Sequence, residues 1–134
     1  MLRLVTVIPV LLLAACGTSP THPDWSGPAE LRPSDGVLEV KAFKEHADAV
    51  DEDWERDPEA LAREYLGGLE GEVSLDGTQV TLLRDDLQDD SVEAERFVLE
   101  LEQNDENWKL VSARWEQRCH AGRGHQVFSP ELCV

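Results

Sequence analysis

The spacing of apolar residues changes once along this chain, between Leu66 and Val73. Before that point Val37, Val40, Phe43, Ala47, Val50 and Trp54 recur at intervals of 3 or 4, the period that places side chains on one face of an α-helix. Asp57-Pro58 then offers an N-cap with proline at the first helical position, and Leu61, Ala62, Tyr65 and Leu66 run on to a Gly67-Gly68 stop. Beyond it the period is 2. Val73 and Leu75 precede Asp76-Gly77, and Val80 and Leu82 follow, which is the pattern of a hairpin closed by a two-residue type I′ turn. Phe97, Leu99 and Leu101 alternate with Val98, Glu100 and Glu102, and QNDEN separates that run from WKLVSARW at 108–115. The expectation is an α+β domain. One or two N-terminal helices pack on an antiparallel sheet of about four strands, with helix 1 over its apolar face.

The 134 residues suit one such domain with a tether. Acidic residues outnumber basic ones 28 to 12, for a formal net charge of −16. Such a body is repelled by nucleic acid and by anionic lipid surfaces, which excludes nucleic acid as a partner. Apolar residues still make up 41% of the chain, with four Trp and three Phe, so the charge does not imply disorder.

Arg3 precedes the 12-residue apolar stretch LVTVIPVLLLAA (Leu4 to Ala15), which falls short of the roughly 20 residues of a bilayer-spanning helix. Residues 1–15 read as a signal peptide. Leu13-Ala14-Ala15-Cys16 resembles the lipobox of bacterial lipoproteins, in which small residues precede a cysteine that receives a diacylglyceryl thioether. The resemblance implies cleavage between Ala15 and Cys16 and lipidation of Cys16. The blander alternatives are an ordinary signal peptide or a buried free cysteine. Residues 16–36 read as a lipidated tether, because Pro20, Pro23, Pro28 and Pro33 stand among Ser, Thr and Gly and exclude helix or sheet interior. Trp25, within it, is expected to pack on the folded body rather than on lipid headgroups. The domain is then 37–134.

With Cys16 set apart, Cys119 and Cys133 remain as a pair with 13 residues between them, and an export compartment favours their oxidation to a disulfide that closes the C-terminal loop. The alternative is zinc held by Cys119, His120, His125 and Cys133, although adjacent Cys119 and His120 bite poorly on one tetrahedral ion. Within the loop, Arg123-Gly124-His125 lies on a glycine-punctuated turn where a guanidinium and backbone N–H groups suit an anion. With Arg114 and Arg118 these residues form the one basic island of an acidic chain. Against that stands a structural role, with Arg123 bonding loop carbonyls or pairing with Glu116 or Glu131.

The stretch WKLVSARWEQRCHAGRGHQVFSPELCV, 108–134, combines Trp108, Trp115, Arg118, Cys119, Arg123-Gly124-His125, Phe128-Ser129-Pro130 and Cys133. It resembles the tail of a group of uncharacterised bacterial proteins, many of them predicted lipoproteins, and the likeness runs back through DDSVEAERFVLELE. That resemblance implies architecture and no catalytic role. The element order also resembles the cystatin-like and NTF2-like groups of folds.

The acidic runs DEDWERD (51–57) and RDDLQDD (84–90) lack the EF-hand arrangement of alternate ligands, central Gly and closing Glu, and read as solvated charge, helix caps and a hairpin loop. No G-x-S-x-G, P-loop, Rossmann glycine pattern or H-E-x-x-H occurs, so no catalytic residue, metal or cofactor is assigned. The sequence reads as a lipoprotein anchored to a bacterial membrane, a non-catalytic binding or structural module with an envelope protein as partner. The alternatives are a small-ligand carrier, or a hydrolase whose cleft between helix 1 and the sheet uses His120 or His125 with a carboxylate.

Overall fold

The computed structural model describes residues 24–134; residues 1–15, expected to be a signal peptide, and Cys16, expected to be lipidated, lie outside the described residues. The chain forms α1 (Lys41–Ala49), a 3₁₀ turn (Asp53–Arg56), α2 (Pro58–Tyr65), β1 (Glu72–Asp76), β2 (Gln79–Arg84), β3 (Val92–Asn104) and β4 (Asn107–Cys119). The strands make one antiparallel sheet in the order β1-β2-β3-β4. This is the expected α+β arrangement of two helices on a four-stranded antiparallel sheet.

The α2 helix starts and stops where its sequence dictates. The Asp57 carboxylate accepts from the N–H groups of Glu59 and Ala60 at 2.9 and 3.1 Å, and Pro58 occupies a position whose N–H would have no partner. At the other end Gly68 N–H donates to Arg63 O and Gly67 N–H to Glu64 O, the paired bonds of a Schellman cap. Gly67 has φ +67° and a Cβ there would lie 2.5 Å from Ser26 O. The N-terminal segment therefore crosses the end of α2 at a separation only glycine permits.

The first helix is shorter than its apolar spacing predicts. Val37 is exposed and bridges Arg114, whereas Leu38 enters the core. Trp115 N–H donates to Gly36 O at 2.8 Å and Leu38 N–H to Ala113 O at 3.0 Å, so this backbone is committed to the edge of β4 and cannot coil. After Ala49 the chain extends at Val50 (φ −120°, ψ 165°), and Trp54 joins the 3₁₀ turn while keeping its contact with Phe43 at 5.5 Å between centroids. The first hairpin also differs by one residue. Asp76 pairs with Gln79, so the turn is Gly77-Thr78. Only Gly77 has positive φ, which fits type II′ rather than type I′.

Val80, Leu82, Phe97, Leu99 and Leu101 share the buried face of the sheet. The register of β3 against β4 slips between Glu100 and Leu101, leaving Val111 as an extra residue. That bulge carries the inward phase from Trp115 and Ala113 over to Leu110, all three buried.

The same face ends in a charge. Glu95, 2% exposed, accepts two bonds from the Arg32 guanidinium, both at 2.8 Å, one from Arg84 at 2.6 Å and one from the Trp115 indole at 3.0 Å. Burial pushes the Glu95 carboxyl upward, but the hydrogen bonds from Arg32, Trp115 and Arg84 and the charge of Arg32 outweigh it and hold the group below the usual carboxylate range. Arg32 belongs to the proline-rich segment, and Trp25 and Leu31 of that segment pack on the core as well. Its described part, 24–36, is thus laid against the domain.

Replacing Glu95 by Gln is expected to lower stability by about 2 kcal/mol in chemical denaturation, allowing for solvent at the half-exposed Arg32. The native carboxyl is depressed from its ordinary 4.5, so its contribution is present above that pH and is lost as acid carries it through the folded value. The advantage of the wild type over Glu95→Gln should accordingly shrink as the pH falls from 4.5 through the lower folded value. A difference that stays constant throughout the acid range would contradict this.

Candidate functional site

The C-terminal loop is built around a bond between Cys119 and Cys133, whose Cα atoms lie 5.5 Å apart. The expected disulfide is present. His125 also places a ring nitrogen within 4.8 Å of both sulfurs, yet the sulfurs are joined to each other and are not the thiolates a zinc site needs. His120, the fourth residue of the zinc alternative, turns away, its Nε2 3.1 Å from Asp89 O.

Arg123-Gly124-His125 closes this loop on itself. His125 Nδ1 lies 2.7 Å from Val127 O and Nε2 2.8 Å from Glu131 O. A neutral imidazole carries one N–H, so only the imidazolium donates both bonds. The Glu131 and Val127 carbonyls raise the His125 pKa from its ordinary 6.5. Arg123 Nη1 is 3.4 Å from Val134 O, and Val134 N–H donates to Arg123 O at 2.7 Å. Gly124 has φ +132°, and a Cβ on it would meet Cys119 Sγ at 3.0 Å. The carbonyl-bonding role for Arg123 is therefore the one found. Glu116 is engaged instead by Arg96 and Arg114.

The basic island is dispersed into pairs. Arg118 contacts Glu93 at 3.0 Å and Asp85 at 3.4 Å, and the guanidinium carbons of Arg96 and Arg118 lie 4.3 and 5.1 Å from the Phe128 ring centre. The acidic runs are local structure. Asp51 and Asp53 hold Arg56, Glu52 and Glu55 form a reciprocal cap on the 3₁₀ turn, and Asp57 caps α2. Asp89 accepts from the N–H groups of Ser91 and Val92 at 2.8 Å each. The Val92 and Ser91 bonds keep its carboxyl below the usual range.

Several concavities among the described residues draw lining from α1. One, of about 240 Å³, lies between the helices and the sheet, with Phe43, Leu61, Trp108 and Leu110 as its apolar lining and Lys44, Asp48, Glu102 and Lys109 among its polar residues. Lys109 pairs with Asp48 across it at 3.5 Å. This is the cleft expected between helix 1 and the sheet, but neither His120 nor His125 lines it. Both belong to the segment after β4, whereas Trp108 and Leu110 stand at its start. The structure therefore does not bring His120 or His125 to this cleft.

The second concavity, of about 500 Å³, is walled by Trp25, His46 and Trp54, with Asp24, Glu52, Glu64 and Val50 around them. The rings form a row. Trp25 and His46 have centroids 6.1 Å apart at 29°, His46 and Trp54 6.2 Å apart at 8°. Beneath them Phe43 meets Trp25 and Tyr65 edge-on, both at 5.2 Å, and the Trp25 indole N–H donates to Tyr65 O at 2.8 Å. Trp25 thus packs on the body, as expected. Burial raises the Tyr65 hydroxyl pKa well above its usual value, and its O–H donates to Glu39 O at 2.8 Å.

In comparisons with known proteins, no family model, curated protein or solved structure matches this chain.

Sequence reading does not single out His46 or Glu95. His46 stands three residues after Phe43 on the helical period, which is the signal that places it beside the aromatic face. Glu95 stands two residues before Phe97 in the inward phase of β3, and a charge in that phase demands buried partners.

Two outcomes follow for the loop. Replacing both Cys119 and Cys133 by Ala should cost about 3 kcal/mol by the loop-entropy relation, measured by denaturant unfolding under non-reducing conditions. In an NMR titration the His125 ring should show a midpoint above 6.5. With the folded pKa raised, its two carbonyl bonds are in place at lower pH and are lost as pH rises through the folded value. A midpoint at or below 6.5 would refute the imidazolium assignment.

Proposed function

We propose that this protein is a bacterial cell-envelope lipoprotein, held to a membrane by acyl chains on Cys16, whose α+β domain is a non-catalytic binding module for another envelope component. The observation that carries this reading is Leu13-Ala14-Ala15-Cys16, which closes a 12-residue apolar run and opens a proline-rich segment. A thiol at that place is the nucleophile that takes the glyceride. Two acyl chains at about 0.8 kcal/mol per buried methylene supply an anchor on the order of 20 kcal/mol, so spontaneous release is negligible. The Cys119–Cys133 disulfide supports an oxidising compartment for the domain. The tail motif supports it through its resemblance to a lipoprotein group.

A second reading, a small-ligand carrier, is favoured by the cleft lined by Phe43, Leu61, Trp108 and Leu110, an apolar concavity with charged residues around it.

The Cys16→Ala variant is expected to appear as soluble or unprocessed precursor, whereas the parent fractionates with membranes and yields an N-terminal peptide carrying a diacylglyceryl thioether by mass spectrometry. Equal membrane partitioning of the two would sink the anchor. Affinity capture of the detergent-extracted protein separates the two readings. A co-purifying envelope protein supports the binding module, and a solitary monomer with a bound small molecule supports the carrier.

A further inference from the structure

We propose that the concavity walled by Trp25, His46 and Trp54 binds an organic ammonium ion. Trp25, His46 and Trp54 line it, and the quadrupole of an aromatic ring attracts a cation placed over it within about 6 Å of the centroid. They are held in place before any ligand arrives. The Trp25 indole is pinned to Tyr65 O, and Phe43, fully buried, braces Trp25 and Trp54 from below at 5.2 and 5.5 Å.

Charge points the same way. Asp24, Glu52 and Glu64 border the rings, and among the described residues none of the three has a Lys, Arg or His within ion-pair distance. Anions are repelled by these three carboxylates and by a chain of net charge −16. A small hydrated metal ion gains little from indole faces, which offer no lone pairs to replace its water. An alkyl ammonium loses less hydration and matches both features, its carbons on the rings and its charge toward the carboxylates.

The source of that ammonium rests on the lipoprotein reading. Asp24 follows Cys16 by eight residues, an extended span of at most about 29 Å. The cleft is then within reach of zwitterionic headgroups at the bilayer surface, as well as open to free amines.

The test is calorimetric titration of the full lipidated protein in neutral detergent. The probes are tetramethylammonium chloride and ethanolamine hydrochloride, with sodium chloride at matched ionic strength as control. Saturable binding is expected for both ammonium probes, weakened about tenfold by Trp54→Ala and about threefold by the charge-removing Glu64→Gln at low salt. If Trp54→Ala does not fold, Glu64→Gln carries the comparison. Dihexanoyl phosphatidylethanolamine and dihexanoyl phosphatidylglycerol distinguish the sources. Competition by the first alone assigns a headgroup, and competition by neither assigns a free amine. No saturable heat above the sodium control, or affinity unchanged in both variants, would overturn the site. Free-amine binding retained by Cys16→Ala would keep this result standing even if the anchor reading fails.

Discussion

A carboxylate at the end of an apolar layer governs how this domain is closed. Moving an isolated ionised group out of water costs several kcal/mol, so Glu95 is tolerable at 2% exposure only while its partners stay in position. Those partners come from separate parts of the chain. Arg84 ends β2, Trp115 lies in β4, and Arg32 stands 63 residues away in the segment ahead of α1. Pairing this one group therefore fixes the N-terminal segment across the sheet. Trp25 and Leu31 of that segment then contribute apolar surface to the core.

The aromatic row depends on that closure. Trp25 enters from the N-terminal segment, His46 from α1 and Trp54 from the 3₁₀ turn, and the buried Phe43 is in ring contact with all three. No single element contains the row. It exists because a proline-rich stretch with no helix or strand of its own is held down at Arg32 and passes Gly67 at backbone contact.

The fold class, α2 and the disulfide were legible because each is written in local signals: the shift of apolar period, the Asp57-Pro58 start with its Gly67-Gly68 stop, and two cysteines set apart from Cys16 near the other end of the chain. The extent of α1 was not, because Val37 has helical spacing while its backbone neighbours bond to β4. Spacing carries no information about such a partner. The bulge at Val111 was hidden for a related reason: W-x-L-V shows apolar residues but not where the inward phase slips. Within the loop, Arg123, Gly124 and His125 were visible as unusual residues. Their role was undecided because the carbonyls they meet, at Val127, Glu131 and Val134, are side-chain-independent and leave no mark in a sequence. The Glu95 cluster and the ring row are long-range pairings, and only the inward phase of Glu95 and the helical phase of His46 hint at them.

The outer side of β4 is covered by chain from both directions. Gly36 and Leu38 bond Trp115 and Ala113, Ser129 bonds Gln117 twice, and His125 O accepts from Cys119 N–H. What remains open on that strand lies around the bulged Val111 and the charged Lys109, and the opposite margin of the sheet is a strand of five residues bearing Glu72 and Asp76. Neither margin is a long, flat template onto which a second copy can zip. Copies of such a domain crowded on one surface would stay separate globules rather than fuse edge to edge into a continuous ribbon.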